Sequence, residues 1–430
     1  MNPPSGCIRD NDRLIESLRE LQRQGNTVLV VEHDEATMRA ADWLIDIGPG
    51  AGRYGGQLVA TGTPEEVAQN PNSVTGRYLS GADAIPLPAK RRKRVKSQTI
   101  TIEGVTTNNL KNVTAEFPLG LFVGVTGVSG SGKSSLVAET FTRAMIRRMG
   151  GQAPRPGPFT GLKGATLVDR VVEVDQSPIG RSARSNAATY TGIFDEVRKL
   201  FTATKEARQL GFKSNRFSFN VAGGRCENCL GQGVVKLEMH FLPDLYVPCQ
   251  VCEGKRFNAQ TLAVRFRGKS IADILAMPIE EAADFFQNVE GIHTRLTPLV
   301  EVGLGYLPLG QPSNTISGGE AQRIKLATEL ARTETGKTLY LLDEPTTGLH
   351  FGDVKRVVDV LQKLVERGNS VVVVEHHLDV LKCCDWLIDL GPEGGKFGGE
   401  LLFAGTPEEL AALPENHTGR FLKDVLAASS

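Results

Sequence analysis

The sequence has 430 residues, of which 40% are hydrophobic and 23% charged, and 49 basic residues balance 49 acidic ones. This length corresponds to about three domains of ordinary size, and 47 glycines and 22 prolines are too few for a collagen-like or largely disordered chain. A net charge of zero means that binding to nucleic acid or membrane must come from local patches. No apolar run reaches the roughly 18 residues of a membrane span, and no secretory h-region is present, so we expect a cytoplasmic protein.

The first predicted elements belong to an internal repeat. Residues 26–79 align without a gap with residues 369–422, and about half of the aligned positions are identical. In each copy a valine-rich run, Val28–Val31 or Val371–Val374, predicts a short buried strand. A helix, a second strand, a glycine-rich turn and a helix beginning at TPEE follow. This alternation predicts a parallel sheet in an α/β fold, and the first copy is expected to be the remnant of a unit whose earlier part is missing.

A basic linker is predicted between the copies. Two prolines precede six basic residues within Lys90–Lys96. A solvated connector and a nucleic-acid contact are both compatible with such a run.

The next segment predicts a phosphate-binding loop. Apolar residues 121–126 lead into GVSGSGKSS and a helical run, the strand, loop and helix context of the GxxxxGK[ST] motif. We expect Lys133 to reach the β- and γ-phosphates and Ser134 to offer its hydroxyl to Mg²⁺. The predicted ATP-binding residues are Gly127, Val128, Ser129, Gly130, Ser131, Gly132, Lys133, Ser134, Ser135 and, further along the chain, Asp343.

Two CxxC pairs follow, separated by nineteen residues: Cys226, Cys229, Cys249 and Cys252. One pair would be compatible with redox chemistry, but two pairs at this separation predict a tetrahedral structural zinc site. The flanking sequences FKSNRFSFN and KRF interleave basic and aromatic residues. That composition suits contact with a nucleic-acid backbone, and it suits a plain zinc-ribbon spacer equally well.

Two further motifs complete a nucleotide site. In ISGGEAQRIKLATELAR, Ser317 is expected to cap a helix, and Gly318 and Gly319 to expose backbone N–H groups to an anion. In TLYLLDEPTTGLH, a predicted strand ends at Asp343, which is expected to hold Mg²⁺, and Glu344, which polarises the attacking water.

Together these motifs resemble an ATP-binding cassette ATPase. In that superfamily the signature of one cassette, which corresponds here to Ser317, Gly318, Gly319 and Glu320, closes on nucleotide held by another. The resemblance implies that Gln176 is the Q-loop glutamine and that His376 is the switch histidine, which contacts the γ-phosphate. Glu344, His376 and Gln176 form the predicted catalytic set.

The chain resembles the UvrA family, and in particular its C-terminal half, over nearly its whole length. The resemblance is carried by tandem cassettes, a zinc insertion within the roughly 180 residues between Lys133 and Ser317, and the stretches SARSNAATYTGIFDEVRKLF and IDLGPEGGKFGGELLFAGTPEEL. It implies an ABC-type P-loop ATPase fold with a parallel sheet core and an inserted zinc-binding signature module. It also implies ATP-dependent recognition of damaged double-stranded DNA in bacterial nucleotide excision repair, with ATP, Mg²⁺ and Zn²⁺ as cofactors.

The resemblance also has consequences for partners. The signature that completes the Gly127–Ser135 site is expected from a second copy of this chain or from a polypeptide carrying the first cassette. The family's UvrB-docking region lies upstream of this stretch, so UvrB contact is not expected of this chain. Two alternatives stay open: an ABC ATPase of another class, associated with transport or drug resistance, and a non-catalytic zinc-dependent DNA-binding fragment.

The predicted domain organisation has five parts. They are a first-cassette remnant at 1–84, the basic linker at 85–98, an ATP-binding core with P-loop and Q-loop at 99–200, an inserted signature and zinc-ribbon region at 201–316, and the signature helix, Walker B strand, switch and C-terminal part at 317–430.

Overall fold

The computed structural model describes residues 8–180, 182–239, 245–332 and 336–428, so the start of the predicted remnant, residues 1–7, lies outside the described residues. The chain divides into two compact units, unit 1 (Met1–Asp175 and Thr333–Ser430) and unit 2 (Gln176–Arg332). The strands are β1 Leu44–Gly48, β2 Gln57–Gly62, β3 Thr99–Val105, β4 Val113–Pro118, β5 Phe122–Gly127, β6 Gly161–Lys163, β7 Arg170–Val174, β8 Val234–Leu237, β9 Leu245–Pro248, β10 Thr338–Asp343, β11 Ser370–Val374, β12 Trp386–Gly391 and β13 Glu400–Gly405.

The helices are α1 Ile8–Arg23, α2 Glu35–Ala40, α3 Pro64–Ala68, α4 Val74–Leu79, α5 Arg143–Arg148, α6 Ala187–Tyr190, α7 Ile193–Thr202, α8 Lys205–Gln209, α9 Ala259–Ala263, α10 Ile271–Ala276, α11 Ile279–Phe285, α12 Glu290–Glu301, α13 Gly318–Leu330, α14 Phe351–Glu366, α15 Leu378–Leu381, α16 Pro407–Ala411 and α17 His417–Ala428. Within the described ranges, no helix combines the length and apolar character needed to cross a membrane.

The main sheet of unit 1 has six strands in the order β13–β12–β5–β11–β10–β7. Neighbours from β12 to β7 pair in parallel, and β13 pairs antiparallel to β12 at one edge. All residues of β5 and β11 are buried, as expected for parallel strands covered on both faces. Helix α14 buries Val354, Val357 and Leu361 on one stripe against this sheet. The predicted α/β class with a parallel sheet core is confirmed.

A second, antiparallel sheet of unit 1 has the order β4–β3–β6. Its apolar side chains share one core with the main sheet. In that core the rings of Phe117 and Phe141 stack with centroids 4.1 Å apart. Phe141 belongs to a π-helical segment, Ser135–Thr142, that directly follows the glycine-rich loop. The second sheet therefore packs against the π-helical segment that follows the glycine-rich loop.

The two repeat copies share a local structure. Hairpins β1–β2 and β12–β13 are both antiparallel, and each has a register shift at the same aligned position, Asp46/Ile47 or Asp389/Leu390. In both copies the helix after the hairpin begins with a threonine N-cap in a capping box, Thr63 or Thr406. The predicted second strand and the TPEE helix are thus present in both copies.

The predicted strand at Val28–Val31 is wrong, whereas Val371–Val374 lies in β11 as predicted. Strand β11 pairs with β10 on one side and β5 on the other. In the part of the chain that the structure describes, no strand lies beside residues 28–31, and Leu29 and Val31 are 86% and 80% exposed. A β-branched run forms a strand only where neighbouring strands pair with its N–H and C=O groups.

Unit 2 is mainly helical, with β8 and β9 as an antiparallel hairpin. Aromatic rings fill its core: Phe194 stacks on Phe219 at 4.9 Å, and Phe201 packs on Phe217 at 5.6 Å. Helix α13, which follows the ISGGE motif, packs against α12, and for this reason it belongs to unit 2. The unit boundaries at 175/176 and 332/333 thus differ in position from the sequence boundaries at 200/201 and 316/317.

Candidate functional site

The glycine-rich loop joins the buried strand β5 to the π-helical segment Ser135–Thr142. Gly127 has a φ of +132°, and a Cβ there would lie 2.0 Å from the Leu390 carbonyl oxygen. Gly132 has a φ of +106°, and its Cβ would lie 2.6 Å from Leu110 Cδ2. Both positions therefore require glycine. Tight turns of this kind let successive backbone N–H groups point at one anion.

Lys133 is buried against this loop. Its Nζ donates hydrogen bonds to the carbonyl oxygens of Gly127 at 3.0 Å and Val128 at 2.8 Å. The amide of Asn109 fixes the tip of the loop, because its Nδ2 donates to the carbonyl oxygens of Gly130 and Gly395, both at 2.9 Å. A cationic side chain is thus fixed within a rigid loop.

Two adjacent carboxylates stand at the end of β10. Burial raises the pKa of Asp343, and the nearby charges of Glu344 and Glu375 raise it further, while Lys133 acts in the opposite direction. These carboxylates and the exposed hydroxyl of Ser134 are hard oxygen donors, the kind that Mg²⁺ prefers. Glu344 has a φ of +42°. Non-glycine residues in this conformation are strained by about 1–3 kcal/mol and cluster at functional sites.

His376 lies next to Glu344. Its Nε2 is 3.5 Å from Glu344 Oε1, and its backbone directly follows the strand β11 and Glu375. Lys133, Asp343, Glu344 and His376, which come from three separate motifs, all belong to unit 1. The His376 ring and the Glu344 carboxylate can therefore act on the same group.

Glu375 is a further residue of this site that was not predicted from the sequence. This carboxylate is 3% exposed and accepts four hydrogen bonds. Oε1 accepts from the N–H and the hydroxyl of Thr346, with the N–H at 3.1 Å. Oε2 accepts from the N–H groups of His376 at 2.8 Å and His377 at 3.1 Å. Glu375 thus links the turn after Glu344 to the backbone of His376 by hydrogen bonds. The sequence feature that could have indicated Glu375 is an acidic residue directly after a run of valines.

The signature residues lie in unit 2, where Ser317 is the N-cap of α13. The Glu320 N–H donates to Ser317 Oγ at 3.3 Å, and the Ser317 N–H donates to Glu320 Oε2 at 2.8 Å, which completes a capping box. Tyr306 donates its hydroxyl to the other oxygen of Glu320. Gln176 also belongs to unit 2, and a Cβ at Gly318 would lie 3.3 Å from its side chain. Gln176 and the signature are therefore neighbours.

The four predicted zinc ligands converge in unit 2. The Sγ atoms of Cys226, Cys229, Cys249 and Cys252 all lie within 4.8 Å of one another, and all four side chains are buried. The sulfurs of Cys226 and Cys249 are 3.9 Å apart, and those of Cys229 and Cys252 are 3.6 Å apart. A tetrahedron with zinc–sulfur distances of about 2.3 Å puts its sulfurs about 3.8 Å apart. The cluster therefore fits a four-coordinate zinc ion.

Polar groups around the cluster favour thiolates. Asn228 Nδ2 donates to Cys249 Sγ at 3.2 Å and lowers the pKa of that thiol to about 6. The Gly233 N–H donates to Cys229 Sγ at 3.3 Å. Hydrogen bonds of this kind orient the sulfurs and stabilise their negative charge.

The aromatic residues flanking the cysteines have a structural role. Phe217, Phe219 and Phe257 are fully buried, and Phe219 packs edge-on against Phe257 with centroids 6.0 Å apart. Rings in this position cannot stack on bases. Stacking on bases is therefore excluded for these three rings, whereas Phe212 is half-buried and Tyr246 is 53% exposed.

The basic linker, which is itself part of unit 1, contacts the second repeat copy through three arginines, Arg91, Arg92 and Arg94, which we call the arginine strap. Arg91 pairs with Glu408 and donates to the carbonyl oxygens of Cys384 and Lys382. Arg92 Nη1 lies 3.0 Å from the buried carboxylate of Asp385, and Arg94 covers the Trp386 ring with Cζ 5.1 Å from its centroid. All of these partners belong to the second repeat copy, so the arginines are not a freely solvated run. Lys90, Lys93 and Lys96 are exposed.

Comparison with known proteins gives consistent matches. The chain is 60% identical over 414 residues to UvrABC system protein A of Thermus thermophilus, which covers 96% of this chain and 43% of the relative. It is 56% identical over 418 residues to UvrABC system protein A of Bacillus subtilis, and this match covers 97% of this chain and 44% of the relative. The chain therefore spans less than half the length of these curated relatives. No protein-family model matches the chain.

Solved structures agree with the sequence matches. The crystal structure of UvrA2 from Deinococcus radiodurans matches with a TM-score of 0.91 and 49% identity over 97% of this chain and 50% of that one. A chain from the structure of ribosome-bound archaeal Pelota and ABCE1 matches with a TM-score of 0.52 at 18% identity, a likeness of fold alone. Because the first match covers nearly the whole chain, both compact units share in it.

Proposed function

The chain belongs to the UvrA family, and from this premise we propose that it takes part in ATP-dependent recognition of DNA damage in bacterial nucleotide excision repair, in the cytoplasm. The family predicted from the sequence motifs and the ABC-type fold are both confirmed. The extent of the match is consistent with the C-terminal half of the family's proteins. The chain spans under half the length of those proteins, so their activity, substrates and partners are part of this proposal. The five-part domain organisation predicted from the sequence also stays a proposal.

The ATPase part of the proposal rests on one observation, the grouping of Lys133, Asp343, Glu344 and His376 around the end of β10. Lys133 and the loop N–H groups bind the phosphates, and Glu344 orients a water and accepts its proton as the water attacks the γ-phosphorus. The bond from the γ-phosphorus to the β–γ bridging oxygen breaks, which gives ADP and phosphate. Ser134 and Asp343 would hold a Mg²⁺ ion, which would neutralise phosphate charge when bound.

We assign the His376 side chain to contact with the γ-phosphate. Its Nε2 lies 3.5 Å from the Glu344 carboxylate, so one histidine can bridge the phosphate and the base. We assign Gln176 the role of Q-loop residue and Ser317, Gly318, Gly319 and Glu320 that of a signature acting on nucleotide held by a partner. The partner is a second copy of this chain or a polypeptide that carries the first cassette.

For DNA we propose contact by unit 2, with the Cys₄ zinc site in a structural role. Exposed basic side chains follow one another on and after α8, at Lys205, Arg208 and Lys213. Such residues contact phosphates and release counterions, so the affinity falls as salt rises. Damage is expected to be read through the deformability of the duplex rather than through base edges.

The ATPase test is the turnover of Glu344→Gln. Loss of the base is expected to reduce kcat by at least 100-fold while nucleotide binding persists. Glu415→Gln, which alters an exposed carboxylate of unit 1, is the matched control and should keep wild-type turnover. Equal rates in all three proteins would contradict the assignment of Glu344.

The DNA test compares two triple variants by fluorescence anisotropy with a labelled duplex. Replacing Lys205, Arg208 and Lys213 with glutamine should weaken binding and reduce its salt dependence. Replacing the exposed linker lysines Lys90, Lys93 and Lys96 removes the same charge at another place and should change binding little. The reverse pattern would move the DNA contact to the linker.

A further inference from the structure

Arg256 carries a buried positive charge in unit 2. The residue is 7% exposed, its Cζ lies 5.3 Å from the centroid of the Phe219 ring, and its Nη2 donates to the Gly310 carbonyl oxygen at 3.1 Å. No carboxylate pairs with this guanidinium within the described part of the chain, and Nη1 has no hydrogen-bond partner there. A buried charge of this kind is costly unless an opposite charge lies nearby.

The groups near Arg256 that can carry the opposite charge are two of the cysteines, which are thiolates when they ligate zinc. Burial lowers the pKa of Arg256, and negative charge on Cys229 and Cys252 acts in the opposite direction. The backbone of Arg256 is part of the same cluster, because its N–H donates to the Cys252 sulfur and its carbonyl oxygen accepts from the Cys226 N–H at 2.9 Å. Arg256 is thus bound to both CxxC pairs.

The backbone conformation makes the choice of arginine informative. Arg256 has a φ of +69°, in the left-handed region that glycine adopts without strain. A non-glycine residue in that conformation costs free energy, and this cost points to a role for its side chain. The side chain extends from the cysteine cluster to Gly310, seven residues before Ser317.

The segment from Gly310 to the signature is held at several points. The Gly310 N–H donates to the Leu275 carbonyl oxygen at 2.7 Å, and the Ser313 hydroxyl lies within 3.0 Å of the carbonyl oxygens of Gly180 and Ser182. Gly310 is therefore part of a hydrogen-bonded segment that leads directly to the start of α13.

We propose that Arg256 is the outer-sphere cation of the Cys₄ metal site and the link between that site and the segment that carries the signature. A zinc ion with four thiolates has a net charge of −2, and one guanidinium on a residue whose backbone is bound to the cluster offsets half of that charge. The inference rests on the proposed zinc site and adds a second role to it: bound metal would hold Arg256, and through it Gly310. The charge and the planar, forked shape of the side chain perform separate tasks.

The test uses Arg256→Lys and Arg256→Met, which share the backbone strain of the wild type. The readout is the zinc content of the purified chain and the rate of zinc transfer to a chromophoric chelator. Loss of an outer-shell partner weakens metal binding by about 10- to 100-fold. We expect Arg256→Met to release zinc at least 10-fold faster than the wild type and Arg256→Lys to stay within about 3-fold. Arg225→Met is the matched control, because Arg225 pairs with an exposed glutamate of the same module.

Hydrogen exchange of residues 310–317 tests the link. Lysine lacks the fork that reaches Gly310, so both Arg256 variants should lose protection there, while Arg225→Met should not. The inference is overturned if Arg256→Met releases zinc at the wild-type rate, if Arg256→Lys releases it as fast as Arg256→Met, or if residues 310–317 stay protected in both. Absence of zinc from the wild-type chain would overturn the proposed metal site itself. Because this measurement needs no Arg256 variant, it separates failure of the metal site from failure of the role of Arg256.

Discussion

Glu375→Gln is the substitution most informative about the nucleotide site, because it changes one oxygen to an NH₂ group and leaves the side-chain volume almost unchanged. Oε1 can still accept from Thr346, but the new NH₂ then faces the N–H groups of His376 and His377. Each buried donor left without an acceptor costs about 1–3 kcal/mol. Since these two N–H groups are only partly buried, we expect a loss of about 2–4 kcal/mol in the free energy of unfolding of unit 1.

Two assays follow from this magnitude. With an m-value of about 3 kcal/mol/M, the urea midpoint of the unit 1 transition should fall by about 1 M. Because Glu375 also positions the turn after Glu344 and the backbone of His376, kcat should fall by about 10- to 100-fold with little change in KM.

The repeat provides a matched control for this substitution. Glu32 is the counterpart of Glu375 in the first copy, in the same valine-rich and histidine context, but it follows a run that forms no strand, and its carboxylate accepts from the His33 N–H at 3.2 Å. Glu32→Gln should cost at most about 1 kcal/mol and leave turnover unchanged. If both variants had the same urea midpoint and turnover as the wild type, the positioning role of Glu375 would be refuted.

Three further predictions test other parts of the structure. Arg92→Ala removes the guanidinium that pairs with the buried Asp385 carboxylate, and urea unfolding should show that unit 1 loses about 1–3 kcal/mol of stability. Lys93→Ala, at an exposed neighbouring position, should cost almost nothing. Equal effects of the two variants would contradict a structural role for the arginine strap. Burial lowers the pKa of His350 below its ordinary value of 6.5, so the folded state favours the neutral ring. The free energy of unfolding of the wild type, measured relative to that of His350→Gln, should therefore fall as the pH drops below about 6.5 and stay constant above it. A difference that stays the same from pH 5 to 8 would contradict this prediction. Cys226→Ser should lose zinc and unfold the cysteine module locally while nucleotide binding persists. The metal content and the binding of a fluorescent ATP analogue measure the two effects. Full metal content in that variant would refute the assignment of Cys226 as a ligand.

The sequence predicted much of this structure because its motifs depend on local chemistry. The loop around Lys133 requires glycine at Gly127 and Gly132 because both have a positive φ, and two CxxC pairs contain their own ligand geometry. The repeat predicted the hairpins and the helices after them, since turn and cap residues act over a few positions. Such features can be predicted without knowledge of the tertiary structure.

Features that depend on distant partners were not predictable. The run Val28–Val31 has the composition of a strand, but pairing depends on neighbours that its own residues do not specify. The basic linker allowed two interpretations, because a sequence does not show that Arg92 meets Asp385 almost 300 residues later. The buried aromatic rings of unit 2 likewise look like base-stacking residues until their burial is known.

ATP turnover by the purified chain tests the central claim most directly. It should be measured over a range of protein concentrations, without DNA, with undamaged duplex and with damaged duplex, all at one stated salt concentration. Turnover per chain that rises with concentration and rises most with damaged duplex is the predicted result, because a partner then completes the Gly127–Ser135 site and hydrolysis is coupled to damage. Turnover that is the same under all three DNA conditions would contradict the proposed function.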